Sequence, residues 1–90
     1  MKFNKWSMER IKDNRKTLTS RRVRHEQDSH VAGIVGPLPW WFIRDHLYRQ
    51  EGADSPEELQ RVINGIFRRI VGPMEEFWVH VIDREQVIKK

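Results

Sequence analysis

The stretch Asn14-Arg15-Lys16-Thr17-Leu18-Thr19-Ser20-Arg21 sets polar, hydroxyl and cationic groups into a segment that otherwise reads as a strand. If the chain is extended from Thr17 to Arg21, the period of two places Thr17, Thr19 and Arg21 on one face and Leu18 and Ser20 on the other. Two hydroxyls and a guanidinium then line up beside one apolar anchor. Pattern alone reads this as an edge strand, with threonine supplying β propensity and arginine and lysine discouraging edge pairing.

On its N-terminal side, Ser7 to Asn14 reads as a short helix, with Ser7 as the candidate N-cap, Glu9 near the positive end of the dipole and Asn14 as terminator. Met8 and Ile11, with Trp6 just before, face the core in this reading. On the other side, Arg22 to His30 is charged and polar apart from Val23. Val31 to Val35 is a short apolar run, consistent with a buried strand that turns at Gly36-Pro37. Pro39 then fits the first turn of a helix reaching about Gln50. On that helix Trp40, Ile43 and Leu47 form one stripe and Trp41 and Tyr48 a flanking one, a pattern more typical of core than of a ligand platform.

Gly52 is the expected C-cap of that helix. Ser55-Pro56-Glu57-Glu58 is a helix start with serine at N-cap, proline at N1 and a glutamate closing a capping box. Leu59, Val62, Ile63, Ile66, Phe67 and Ile70 keep the helical period, and Gly72-Pro73 ends the segment. Phe77 to Ile82 reads as a strand apolar on both faces, which suits a central position, and Arg84 to Lys90 reads as a frayed tail.

Ninety residues allow one small domain, here 1–90. Four Trp and four Phe make a compact core feasible. Without cysteine there is neither a disulfide framework nor a thiolate zinc site. The histidines are too sparsely accompanied for a metal site, so no metal and no cofactor is expected; His80 reads as a buried, hydrogen-bonded core residue. No apolar run serves as a signal peptide or membrane span, which makes the cytoplasm the expected location. The net charge of +4 is unevenly placed. Arg10, Lys12, Arg15, Lys16, Arg21, Arg22 and Arg24 crowd the first third, which favours either an anionic partner such as RNA or a nucleotide, or merely a solvated face.

Asn14 to Arg21 resembles the signature of the ASCH family, a PUA-like group. Lys16, Thr19 and Arg21 match it, and Asn14 stands where the family has glycine, a mild departure because Asn tolerates the left-handed conformation. Asp45 to Gly52 and Asp54 to Leu59 resemble the family's helical insert, and Trp78-Val79-His80 its final strand. The family's hairpin has no full-length counterpart in Arg22 to His30. The resemblance implies an α+β fold: a small, partly reduced PUA-like β-barrel with a helical insert.

It also implies chemistry. A threonine hydroxyl becomes a nucleophile when a desolvated lysine takes its proton, and a carboxylate at a helix end can orient or protonate an amine. The family's small amidohydrolases, which deacetylate N4-acetylcytidine, carry such groups at positions matching Lys16, Thr19 and Glu51. Three functions follow: a module binding RNA or a modified nucleoside, with Arg15, Arg21, Arg22 and Arg24 on phosphate and Trp40 or Trp41 stacking a base; an amidohydrolase using Lys16, Thr19 and Glu51; or a protein-interaction unit that has lost its pocket. Nucleic-acid or nucleoside binding ranks first, because it needs only the basic strip.

Overall fold

The computed structural model describes residues 1–89. Helix α1 spans Lys5–Lys12. Its N-cap is Asn4, whose Oδ1 accepts from the Ser7 N–H at 2.8 Å, so Ser7 is a buried residue of the first turn rather than the expected cap. Both residue types cap well. The earlier start brings Trp6 into the helix, where the Arg10 guanidinium lies over its indole at 4.0 Å. Asn14 adopts φ 61°, the left-handed turn its identity suggests.

Three strands, β1 (Leu18–Arg21), β2 (Val31–Pro39) and β3 (Glu76–Ile82), form an antiparallel sheet in the order β1-β3-β2. With the helices this makes the fold α+β. The doubly apolar strand β3 is central, as its composition suggests, pairing Thr19 with His80 on one side and Ile34 with His80 on the other. Residues 22–30 form bends and turns without a strand.

Strand β2 departs from expectation. It does not stop at Gly36-Pro37 but passes through a bulge there and resumes pairing, Leu38 with Phe77 and Pro39 with Glu76. A proline is tolerated in this position because the strand is at an edge and the ladder is already interrupted. The edge position also corrects the expectation of burial: none of its residues is fully buried, and Val35 is 55% exposed.

Helix α2 is shorter than expected, Trp40–His46, with Pro39 as its N-cap. The chain then continues through successive turns, in which Glu51 N–H donates to Leu47 O and Ala53 N–H to Tyr48 O. Helix α3 spans Pro56–Phe67. Its start is the anticipated one: Ser55 Oγ accepts from Glu58 N–H, and Glu58 Oε1 reaches back to Asp54 N–H. Its end comes early, at Arg68 with φ 57°. Asn64 Oδ1 takes the Val71 N–H and diverts the chain, leaving Ile70 outside the helix and 82% exposed.

Residues 84–88, read from sequence as part of a tail, form helix α4 (Arg84–Ile88). Its Arg84 side chain donates to the carbonyls of Ile11 and Lys12 at the end of α1, where a cation meets the negative end of a helix. Lys90 lies outside the described residues. The core gathers Trp40, Ile43, Leu59, Ile63, Val71, Phe77 and Val79, with Trp40 and Phe67 both edge-on to Phe77. Among the described residues no helix is long and apolar enough to cross a membrane.

Candidate functional site

Lys16 sits between α1 and β1, outside the ladder. After the Asn14 turn, the N–H groups of Arg15 and Lys16 both donate to Arg10 O, while those of Thr17 and Leu18 donate to Gln50 O. Lys16 itself forms an isolated antiparallel bridge with Glu51. The backbone therefore brings two residues from distant parts of the chain side by side before their side chains interact.

The side chains complete the contact. Lys16 Nζ donates to the Glu51 carbonyl at 3.0 Å and to Glu51 Oε1 at 3.2 Å. The other carboxylate oxygen, Oε2, accepts from Ser20 Oγ at 2.6 Å, a short, charge-assisted bond. Lys16 and Glu51 are 5% and 4% exposed, so this is an ion pair removed from water. Burial lowers the Lys16 pKa below the ordinary lysine value; the charge and hydrogen bond of Glu51 oppose that effect, and the positive charges of Arg21 and Arg10 add to it. Arg10 also fixes the next residue, its Nε donating to Gly52 O at 3.0 Å.

These groups form the floor of a cleft of about 780 Å³ between β1, the start of α1 and the face of α3. Thr19, also buried, borders it beside Lys16, Ser20, Arg21 and Glu51. The opposite wall is apolar, made by Phe3, Trp6, Val62, Ile66 and Phe67. The helical period from Leu59 to Ile70 implies one buried face. In the structure Leu59 and Ile63 are buried in the core, whereas Val62 and Phe67 are half-buried and Ile66 is exposed along the cleft.

The three residues singled out for catalysis, Lys16, Thr19 and Glu51, thus share one cleft. The basic strip does not hold together in the same way. Arg15 lies within 3.3 Å of Asp13 and 3.9 Å of Asp54, Arg22 pairs with Glu75 at 3.0 Å, and Arg24 pairs with Glu26 at 2.7 Å. Only Arg21 borders the cleft; it stacks over Phe3 and donates to Lys2 O. Of the two indoles, Trp40 has no exposed surface and gives its N–H to Gln60, which leaves it no face for a base. Trp41 is 38% exposed but lies against Phe42 and His46, outside the cleft lining.

Ser20 is the site residue the sequence reading passed over. No local signal marks it, because its partner Glu51 lies 31 residues further along the chain. His80 is fully buried. Its Nε2 accepts from the His25 N–H and its Nδ1 lies 3.0 Å from Trp78 O, an arrangement that suits the neutral ring, and burial lowers its pKa. Among the described residues no group of His, Asp and Glu could hold a metal ion. Compared with protein-family models, curated proteins and solved structures, the chain returned no match.

Proposed function

We propose that the chain is a reduced ASCH-type, PUA-like domain whose cleft binds a modified nucleoside and hydrolyses its acyl amide. The observation that carries this reading is the buried Lys16–Glu51 pair on the floor of a cleft that Thr19 also borders. An ion pair at this depth is a poor way to stabilise a fold, since desolvating both charges offsets most of their attraction. It is a good way to hold a base and an acid ready. One proton shared between Lys16 and Glu51 gives either the ion pair or a neutral amine beside a carboxylic acid, and the second state is the one catalysis requires.

In the proposed reaction the neutral Lys16 amine takes the Thr19 hydroxyl proton as Thr19 Oγ adds to the acyl carbon. Glu51 gives its proton to the departing amine as the carbon–nitrogen bond breaks, leaving an ester on Thr19. The proton on Lys16 then returns to Glu51, restoring the neutral amine; water adds to the ester as Lys16 takes its proton, and Lys16 passes that proton to Thr19 Oγ as the carboxylic acid leaves. The net change is amide plus water to acid plus amine. Ser20 holds Glu51 in place throughout. The open three-stranded sheet accords with a barrel reduced where residues 22–30 form no hairpin.

Long RNA draws less support, because Arg15, Arg22 and Arg24 face carboxylates of the chain itself. The test is incubation of the purified protein with N4-acetylcytidine, with cytidine release followed by chromatography. The expected result is turnover that Lys16→Ala and Thr19→Ala both abolish. No turnover by the wild-type protein, or full turnover by Thr19→Ala, overturns the proposal.

A further inference from the structure

The charges around the cleft are unbalanced in one direction. Lys2, Lys16, Arg21 and Arg61 line it, against the single carboxylate of Glu51. Lys16 and Glu51 pair with each other on the floor, and among the described residues the cations at Lys2, Arg21 and Arg61 form no ion pair within the cleft. This sets Arg21 apart from its neighbours in sequence. Arg15, Arg22 and Arg24 each lie beside a carboxylate, whereas the bond Arg21 makes is to a backbone carbonyl, Lys2 O, at 2.9 Å.

Arg21 is also held in position. Its guanidinium lies 5.3 Å from the centre of the Phe3 ring, and its partial burial and the Lys2 carbonyl limit its freedom while leaving other N–H donors uncommitted among the described residues. A planar donor fork fixed this way suits a two-oxygen anion. Burial alone lowers the Arg21 pKa, an effect that the nearby charges of Glu51 and Asp28 partly offset. An anion brought against Arg21 adds to that offset.

Building on the function proposed above, we infer that the ligand of this cleft carries a phosphate monoester seated on Lys2, Arg21 and Arg61, so that the preferred substrate is an acylated nucleoside monophosphate rather than the bare nucleoside. A phosphate monoester bears between one and a half and two negative charges near neutral pH, which matches a rim of three cations better than a single carboxylate does. The cleft volume of about 780 Å³ leaves room for a nucleotide, being within the usual range for small-molecule sites. The apolar wall of Val62, Ile66 and Phe67 covers the base and acyl group, with the scissile carbonyl at Thr19.

The test compares N4-acetylcytidine with its 5′-monophosphate, using cytidine or cytidine monophosphate release for turnover and titration calorimetry for binding. At about 50 mM salt the monophosphate is expected to show kcat/KM and affinity at least about tenfold higher than the nucleoside, an advantage that shrinks at about 500 mM as the rim is screened. Arg21→Gln removes most of that advantage and Arg61→Gln part of it, each read as the ratio of the two compounds within one variant. Arg61 lies on an exposed part of α3, so its variant reports on the rim even if Arg21→Gln unfolds.

Equal behaviour of the two compounds overturns the inference while leaving the hydrolase intact. Tighter binding of the monophosphate, lost in Arg21→Gln, without turnover of either compound sustains the inference and overturns the hydrolase. Binding of neither compound overturns both.

Discussion

At the scale of single residues, the unusual feature is a lysine and a glutamate that satisfy each other away from water. Removing one partner strands the other: breaking a buried pair costs about 3–5 kcal/mol, whereas replacing both with apolar side chains is often neutral. Lys16→Met is therefore expected to lower unfolding free energy by about 3–5 kcal/mol in urea, and Lys16→Met/Glu51→Leu to recover most of that loss while remaining inactive. Simple addition of the two single losses in the double variant means the side chains are not coupled. The pH profile carries a second sign. The proposed reaction uses the one proton shared by Lys16 and Glu51, so losing it to solvent leaves no acid for the departing amine; because burial lowers the Lys16 pKa, hydrolysis should fall with rising pH along a limb that begins below the ordinary lysine value. The left-handed turn at Asn14 that sets Lys16 off from the strand was legible in the sequence. The role of Ser20 was not, because it depends on a carboxylate 31 residues away. The same distance effect hid the neutralisation of Arg22, whose partner Glu75 is 53 residues further on, whereas Arg15 and Arg24 meet carboxylates in their own sequence neighbourhood, Asp13 and Glu26.

At the scale of elements, the site hangs on the turn that links α2 to α3. Gly52 has φ +102°, and a Cβ there would lie 3.1 Å from both Arg10 Cδ and Lys16 Cβ. Gly52→Ala thus strains the backbone by about 1–2 kcal/mol and pushes on Lys16 while displacing the adjacent Glu51. The expected outcome is a lower denaturation midpoint together with lower kcat. Gly65 provides the opposite case: it lies within α3, and a Cβ meets nothing within 4 Å. Gly65→Ala should raise stability by about 0.5–1 kcal/mol through helix propensity, and unchanged or lower stability contradicts that account. Local signals explain what could be read at this scale. The Ser55 cap and the apolar strand β3 carry their own evidence and appear as expected. The length of β2 and the existence of α4 do not. The first rests on pairing with β3 beyond a bulge, the second on Arg84 reaching the carbonyls that end α1. Neither contact has a sequence period.

At the scale of the whole molecule, a radius of gyration of 12.2 Å matches the roughly 12 Å expected for a compact chain of this length. Ion pairs link distant parts of its surface, and Glu75 takes part in two of them. Its carboxylate accepts from Arg69 at 2.6 and 2.7 Å, from Arg22 at 3.0 Å and from the Gly72 N–H at 2.6 Å. It thereby joins the loop after α3 to the segment leaving β1. The Arg69 hydrogen bonds first, then that of Gly72, lower its pKa from 4.5 to about 2. A carboxylate whose pKa is depressed on folding binds fewer protons in the native state than in the unfolded one, so stability rises with pH wherever the two differ. The contribution of Glu75 is therefore fully present above its unfolded value of 4.5 and is lost as pH falls toward about 2. Thermal unfolding of the wild-type protein and of Glu75→Gln across this range tests the assignment. The variant should melt lower at pH 6, and the gap should close steadily below pH 4.5, nearly vanishing near pH 2. A gap that keeps the same size throughout would show that the carboxylate's charge contributes nothing to holding the two segments together.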